Sequence, residues 1–387
     1  MIKNTSLKKV LKGSVFKGIT VINRIFPKND KVILLYMGNK GLGFNLSVLF
    51  DYMIEHGLNE QYKIVCSVES RAYFGEKLKN VEYVDHVGGL KWYLKASHVF
   101  YTAGQLPIKP SKHQIVIHMN HGITDYKTVG ALTKINNGDE FFFTYMIASS
   151  PLYIPITVKE YLCSEDNVIV CNEPMAERIL KPQNKYDFSK YNKVLLWAPT
   201  FRQSDYLGYD DSSVEELIPL FEEPMYGQLN DKLKEKNILL IVKLHPSQTI
   251  KNYSYASFSH LKIYSHDDFI ESGMNLYDLM AQADGMLGDY SSASLQFLLT
   301  DKPIAYVIPD FDEYKEKRGF VFENPKEYMP GYLIYTISDF EMFLDEFSRG
   351  KDEYAKERLK VKNLIHKYQD TKSCERLLAF SHISLND

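Results

Sequence analysis

A chain of 387 residues exceeds the usual span of one hydrophobic core, so two domains, each burying its own centre, are expected. Apolar and charged fractions are ordinary for a globular protein, and a formal net charge of −3 gives no overall attraction to nucleic acid or an anionic surface, so any basic function must be local. Cys66, Cys163, Cys171 and Cys374 lie without CxxC spacing, so neither a zinc site nor a disulfide framework is read, and a reducing cytoplasm fits.

No run of 18 apolar residues and no secretory signal is present, but the first 28 residues are distinctive. They carry Lys3, Lys8, Lys9, Lys12, Lys17, Arg24 and Lys28 with no acid before Asp30. On a helix, Leu7, Val10, Leu11, Val15, Ile22, Ile25 and Phe26 share a broad face opposite Lys9, Lys12, Lys17 and Arg24, and Pro27 ends the pattern. Two readings stay open: a helix docked on the core with a solvated basic face, or a helix lying in a membrane interface.

Short, nearly continuous apolar runs follow at 32–37, 63–68, 98–101, 114–118, 145–148 and 168–171, as in parallel strands buried on both faces. Helical patterns such as 45–55 lie between them. A second series occupies 194–197, 238–244, 262–264, 285–287, 304–308 and 333–335, and the polar stretch 181–192 is the linker candidate. Ser338 with Glu341 reads as a capping box opening a helix through Phe347, with Gly350 as its stop. The expected division is a basic segment 1–30, a first α/β domain 31–180, a second α/β domain 181–340 and C-terminal helices 341–387. Two open α/β sheets of this kind bind ligand beyond the carboxyl ends of their strands, here across a cleft between two Rossmann-like domains.

The residues at those strand ends carry the chemistry. In Gly285-Met-Leu-Gly-Asp-Tyr-Ser-Ser-Ala-Ser, a strand turns into a helix whose start holds Asp289, Ser291 and Ser292. Such a start either caps itself or collects phosphate on its free N–H groups. His245, at the end of Ile241-Val-Lys-Leu-His-Pro, is a structural histidine or a donor to a phosphate and a departing group. Thr200 and Arg202 follow the strand at 194–197, and Arg202 could pair with phosphate bidentately. Arg318, in a charged loop after a later strand, is another such contact or a solvated surface residue. In the first half, the strand at 114–118 runs into His121-Gly122; His121 suits a general base, and Gly122 grants close approach. His118 and His121 form an HxxH without a third ligand, so no metal site is read.

Taken in order, WAPTFR (197–202), KLHP (243–246), GDYSSASLQFLL (288–299), DKPI (301–304), DEYKEKRGFVFE (312–323) and YMPG (328–331) resemble the CDP-glycerol glycerophosphotransferase family of teichoic acid primases and polymerases. The resemblance implies a GT-B fold with the nucleotide donor in the second domain. His245, Ser291 and Ser292 would hold the donor diphosphate, with Thr200, Arg202, Asp289 and Arg318 around it, and His121 and Gly122 would lie on the acceptor side. It implies transfer of glycerol phosphate from CDP-glycerol to a hydroxyl of a lipid-linked acceptor at the cytoplasmic face of the membrane, with CMP released. No obligatory protein-bound metal or other cofactor is expected. A CDP-ribitol donor and a nucleotide-sugar glycosyltransferase of the same fold are the alternatives. The acceptor side departs from the family: Asn120 stands where a tryptophan is usual, Ile123-Thr-Asp-Tyr-Lys127 replaces Thr-Pro-Leu-Lys, and Asn172-Glu-Pro-Met-Ala-Glu177 replaces Gly-x-Pro-Arg-x-Asp.

Overall fold

The computed structural model describes residues 15–37, 41–102, 106–120, 122–133, 140–204, 208–248 and 258–385. The chain forms two compact units. The first comprises Met1–Ile123, Gly138–Met175 and Asp370–Asp387; the second comprises Thr124–Asn137 and Ala176–Gln369.

The first unit is built on seven parallel strands: β1 (Asn29–Tyr36), β2 (Lys63–Ser67), β3 (Val81–Val84), β4 (Ala96–Tyr101), β5 (Ile115–His118), β6 (Tyr145–Ala148) and β7 (Val168–Val170), in the order 3-2-1-4-5-6-7. The apolar runs are continuous because alternate residues serve opposite faces. Ile33, Leu35, Ile64 and Cys66 join the core under the helix Phe44–Glu55, while Val32, Leu34, Val65 and Val99 join a second core with Tyr93 and Ile108. β3 has no matching run in the sequence: all four of its residues are only half-buried, as befits an edge strand.

The helix Val15–Ile25 lies on the second of these cores through Phe16 and Ile19. Asn23 Nδ2 donates to Lys109 O (3.0 Å) and to Gln114 Oε1 (2.8 Å), and Lys28 Nζ donates to Asn23 Oδ1 (2.8 Å) and Leu94 O (2.6 Å). Lys28 is therefore a tie within the fold rather than a member of a basic face, and burial lowers its pKa to about 8. The opposite side of the helix leaves Val21, Ile22 and Ile25 exposed.

The second unit carries β8 (Lys193–Trp197), a two-stranded ribbon of β9 (Gln203–Ser204) and β10 (Tyr209–Asp210), then β11 (Ile238–Lys243), β12 (Leu261–Tyr264), β13 (Gly285–Gly288), β14 (Ile304–Val307) and β15 (Tyr332–Ile334). Its six-stranded parallel sheet runs 12-11-8-13-14-15, the doubly wound order of a Rossmann-like domain. Trp197 is fully buried and stacks on Phe340 of the helix Ile337–Ser348. That helix is capped by Thr336 with Asp339, two residues earlier than Ser338 with Glu341, because Tyr335 and Thr336 supply the free N–H groups that Asp339 accepts.

The C-terminal helices do not form a separate layer. Phe340, Phe343, Leu344 and Phe347 complete the second unit's core, whereas Cys374, Leu377 and Leu378 enter the core of the first. The boundary between units falls at Met175 and Ala176, ahead of the polar stretch 181–192, and residues 124–137 leave the first half of the chain for the second unit.

Candidate active site

In the second unit β8 pairs with β11 on one side and β13 on the other, so chain direction through the sheet reverses at β8. The crevice beyond such a reversal is where open α/β sheets take ligands. Three segments enter it: Ala198–Arg202 after β8, His245 after β11, and Asp289–Ser292 after β13.

Asp289 is fully buried and is the keystone of this edge. It accepts from Thr200 N (2.8 Å), Thr200 Oγ1 (2.7 Å), Ser291 N (3.0 Å) and Arg202 Nη1 (2.6 Å). Arg202 also donates from Nε to Asp310 Oδ2 (2.8 Å), and Tyr290 Oη donates to Asp310 Oδ1 (3.0 Å) beneath a guanidinium 4.9 Å from the Tyr290 ring centre. Burial alone would lower the guanidinium's pKa, but Asp289 and Asp310 outweigh it and raise it, while Arg202 in turn holds Asp310 below the usual carboxylate range. The fork expected to grip phosphate thus faces two carboxylates, and Thr200 donates inward. Arg202, Thr200 and Asp289 form a bracket joining the ends of β8 and β13. Gly288 lets this bracket close: a Cβ there would lie 2.2 Å from Ser294 Oγ, which bonds Asp289 N.

Ser291 caps the helix Ser292–Phe297, its Oγ accepting from Ala293 N (3.3 Å), so self-capping is what this helix start displays. Ser291 and Ser292 nonetheless remain partly exposed at the crevice. His245 Nδ1 accepts from Ser247 N (3.0 Å), which leaves Nε2 as the nitrogen that carries the proton in the neutral ring. The imidazole packs 4.7 Å from Phe201, centre to centre. This geometry suits donation from Nε2 to an anionic oxygen.

The segment after Gly122 joins the same edge. Val321 N donates to Tyr126 O (2.8 Å) and Thr128 N to Gly319 O (3.2 Å), with Lys127 bridged antiparallel to Phe320. Extended backbone sends alternate side chains to opposite faces. Tyr126 goes inward, its Oη donating to Tyr328 O (2.6 Å), and Asp125 and Lys127 share the other face. Burial raises the Asp125 carboxyl to about 6 against the lowering influence of Lys127 and Arg318. Arg318 donates from Nε to Thr128 O (3.1 Å) and from Nη1 to Asp211 Oδ2 (3.0 Å), and lies 4.0 Å over Tyr209. It is committed to holding the 124–133 segment and the β9–β10 ribbon, a structural job that its charged loop did not announce.

In the first unit, His121 lies outside the described residues; Gly122 is buried. The residue before His121 is tightly fixed. Asn120 has φ 52, its carbonyl accepts from Thr102 Oγ1 and from Asn45 Nδ2 (3.1 Å), and its Nδ2 donates to Tyr161 Oη (2.9 Å). A non-glycine residue in the left-handed region is sparsely populated and persists where surroundings over-determine it. His118 stacks on Tyr101 at 4.3 Å, a buried ring in an aromatic cluster. Sequence reasoning passed over Glu173, fully buried and bonded by Asn45 Nδ2 (3.3 Å), and Ser149 and Ser150, buried just beyond β6 with hydroxyls that have no hydrogen-bond partner among the described residues. Position at a strand's carboxyl end was the available signal for all three.

A family model described as CDP-glycerol:poly(glycerophosphate) glycerophosphotransferase matches residues 19–381. The chain belongs to that family. Among curated relatives, it is 26% identical to a teichoic acid ribitol-phosphate primase of Bacillus spizizenii over 72% of this chain and 64% of the relative. It is 29% identical to a teichoic acid glycerol-phosphate primase of Bacillus subtilis over 62% of this chain and 57% of the relative, so the matched regions span less than two thirds of either primase. A solved structure of the wall teichoic acid polymerase TagF shares the fold, with a TM-score of 0.71 over 97% of this chain and 95% of that one at 17% identity.

Proposed function

We propose that the chain transfers a polyol phosphate, glycerol phosphate in the first instance, from its CDP-activated form to an acceptor hydroxyl. The acceptor oxygen attacks the phosphorus bearing the polyol, the bond from that phosphorus to the bridging oxygen breaks, and CMP leaves. His121 takes the hydroxyl proton. Phosphoryl transfer asks a protein mainly for positioning and charge stabilisation. The observation that carries this reading is His245 at the second unit's strand reversal, with Nδ1 accepting from Ser247 N so that Nε2 carries the proton of the neutral ring. Membership of the glycerophosphotransferase family supplies the class of donor.

In this reading the diphosphate sits against His245, Ser291 and Ser292, held in register by the Asp289 bracket rather than by Arg202 itself. A crystal soaked with CDP should place the diphosphate within about 3.2 Å of Ser291 or Ser292. Nucleotide found instead in the first unit, at residues 38–45, would reverse the assignment. Turnover of CDP-glycerol, CDP-ribitol and UDP-sugars, compared on one acceptor, separates the donors; activity with UDP-sugars alone would sink the polyol-phosphate reading. A ribitol-phosphate primase and a glycerol-phosphate primase both stand among its relatives, which is why both CDP-polyols belong in the panel.

We further propose that the acceptor is lipid-linked and that the helix Val15–Ile25 rests on an anionic membrane. Exposed Val21, Ile22 and Ile25 beside Lys17 and Arg24 support this, whereas no helix among the described residues is long and apolar enough to cross a membrane. Because Phe16, Ile19 and Asn23 are structural, the test is Ile22→Ser with Ile25→Ser rather than deletion. The pair should release the protein from anionic liposomes several-fold while sparing turnover of a soluble acceptor; unchanged liposome binding would refute it.

A further inference from the structure

Lys127 is the group on the second unit's crevice edge whose setting the bracket and the helix start leave unexplained. The residue is half-buried, and desolvation lowers its pKa against the raising influence of Asp125, Asp289 and Asp211. A partly desolvated cation normally has a carboxylate or carbonyl within bonding distance. Two of these carboxylates are engaged elsewhere, Asp289 by Arg202, Thr200 and Ser291 and Asp211 by Arg318, and Asp125, on the same extended segment, makes no ion pair with Lys127. Lys127 Nζ makes no hydrogen bond or ion pair with any described residue and lies 6.0 Å from the centre of the Phe201 ring.

Phe201 carries Lys127 at one contact and the His245 imidazole, 4.7 Å centre to centre, at another, so the two cationic or proton-bearing groups flank a single side chain. The backbone that delivers Lys127 is locked by strand pairing to residues 319–321 and by Arg318 on Thr128. A lysine held in place by its backbone and provided with no internal partner is a site arranged for an anion from outside. Lys is suited here because it meets a phosphate as a compact point charge.

We propose that Lys127 is a substrate-binding residue of the second unit, its ammonium meeting the diphosphate of a nucleoside-diphosphate donor beside Phe201 and His245. This rests on the placement of the donor in the second unit given above. It goes beyond that placement in assigning an anion contact to the segment after His121-Gly122, which the sequence puts with the acceptor side and the structure puts in the second unit.

The test measures affinity for CDP, for inorganic pyrophosphate and for cytidine by calorimetry, on the full chain and on Lys127→Met and Lys127→Arg. Methionine keeps the apolar stem and removes the charge. A charged hydrogen bond is worth enough to predict a loss of about 10-fold to 100-fold in CDP and pyrophosphate affinity in Lys127→Met, partial recovery in Lys127→Arg, and unchanged cytidine binding. A role in folding alone would leave the affinities of folded protein equal, or lower cytidine binding as much as CDP binding; either result overturns the proposal while leaving the donor's placement intact. Should CDP or pyrophosphate bind in a Lys127-dependent way while the unaltered protein turns over no CDP-polyol, the polyol-phosphate reading fails and Lys127 keeps its role. Absence of binding to all three nucleotide and phosphate probes by the unaltered protein overturns both.

Discussion

Arg202→Met is expected to destabilise the second unit by about 3–5 kcal/mol, the cost of leaving a buried ion-pair network without its central partner. Asp289 and Asp310 would both lose their buried ion-pair partner: Asp289 is fully buried and Asp310 is 7% exposed. Denaturant unfolding followed by a probe in the second unit reads the loss. Adding Asp289→Asn and Asp310→Asn to Arg202→Met should recover a large part of it, because carboxamides tolerate burial that carboxylates do not. A loss below about 1 kcal/mol, or no recovery in the triple variant, would show that the bracket is not what joins β8 to β13. The same experiment separates structure from ligand binding, since at temperatures where Arg202→Met remains folded its CDP affinity should be close to that of the unaltered protein.

His121→Ala should lower kcat by about 100-fold to 10,000-fold, the range for a positioned general base, with CDP affinity nearly unchanged. His245→Ala should weaken CDP binding as well as turnover, because Nε2 donates to the anion in the ground state and to the departing CMP in the transition state. The two variants are therefore distinguished by the split between kcat and donor affinity rather than by total activity. Near-normal kcat for His121→Ala with saturating acceptor, or a loss of CDP binding as severe as that of His245→Ala, would refute the division. The base would then fall to Asp125, whose carboxyl, raised to about 6 by burial, is ionised above that pH and so able to accept a proton at neutrality.

The family was legible in the sequence because its motifs sit on strand ends. WAPTFR, KLHP and GDYSS each couple a buried strand to the residues just beyond it, and the strand runs at 194–197, 238–244 and 285–287 became β8, β11 and β13 within a residue or two. The match to the family model over residues 19–381 agrees with the resemblance those motifs carry. What the sequence left open was the partners of the charged side chains. Arg202 and Arg318 have the residue type that binds phosphate, but the type is equally suited to a buried carboxylate, and only the positions of Asp289, Asp310 and Asp211 choose between the two.

Sequence by itself determined the parallel sheets, their apolar strands and the order of the motifs, since these depend on the periodicity of neighbouring residues and on local turn chemistry. Tertiary structure alone decided which unit each piece joins. Residues 124–133 pair with 319–321, and Cys374, Leu377 and Leu378 return to the first unit's core from the far end of the chain. Such pairings bring together residues about 190 or more positions apart, and no local pattern records them: an extended segment such as Asp125-Tyr126-Lys127 carries the same alternation whichever sheet edge it meets, and its partner is selected by the free backbone groups and buried surface that the rest of the fold presents.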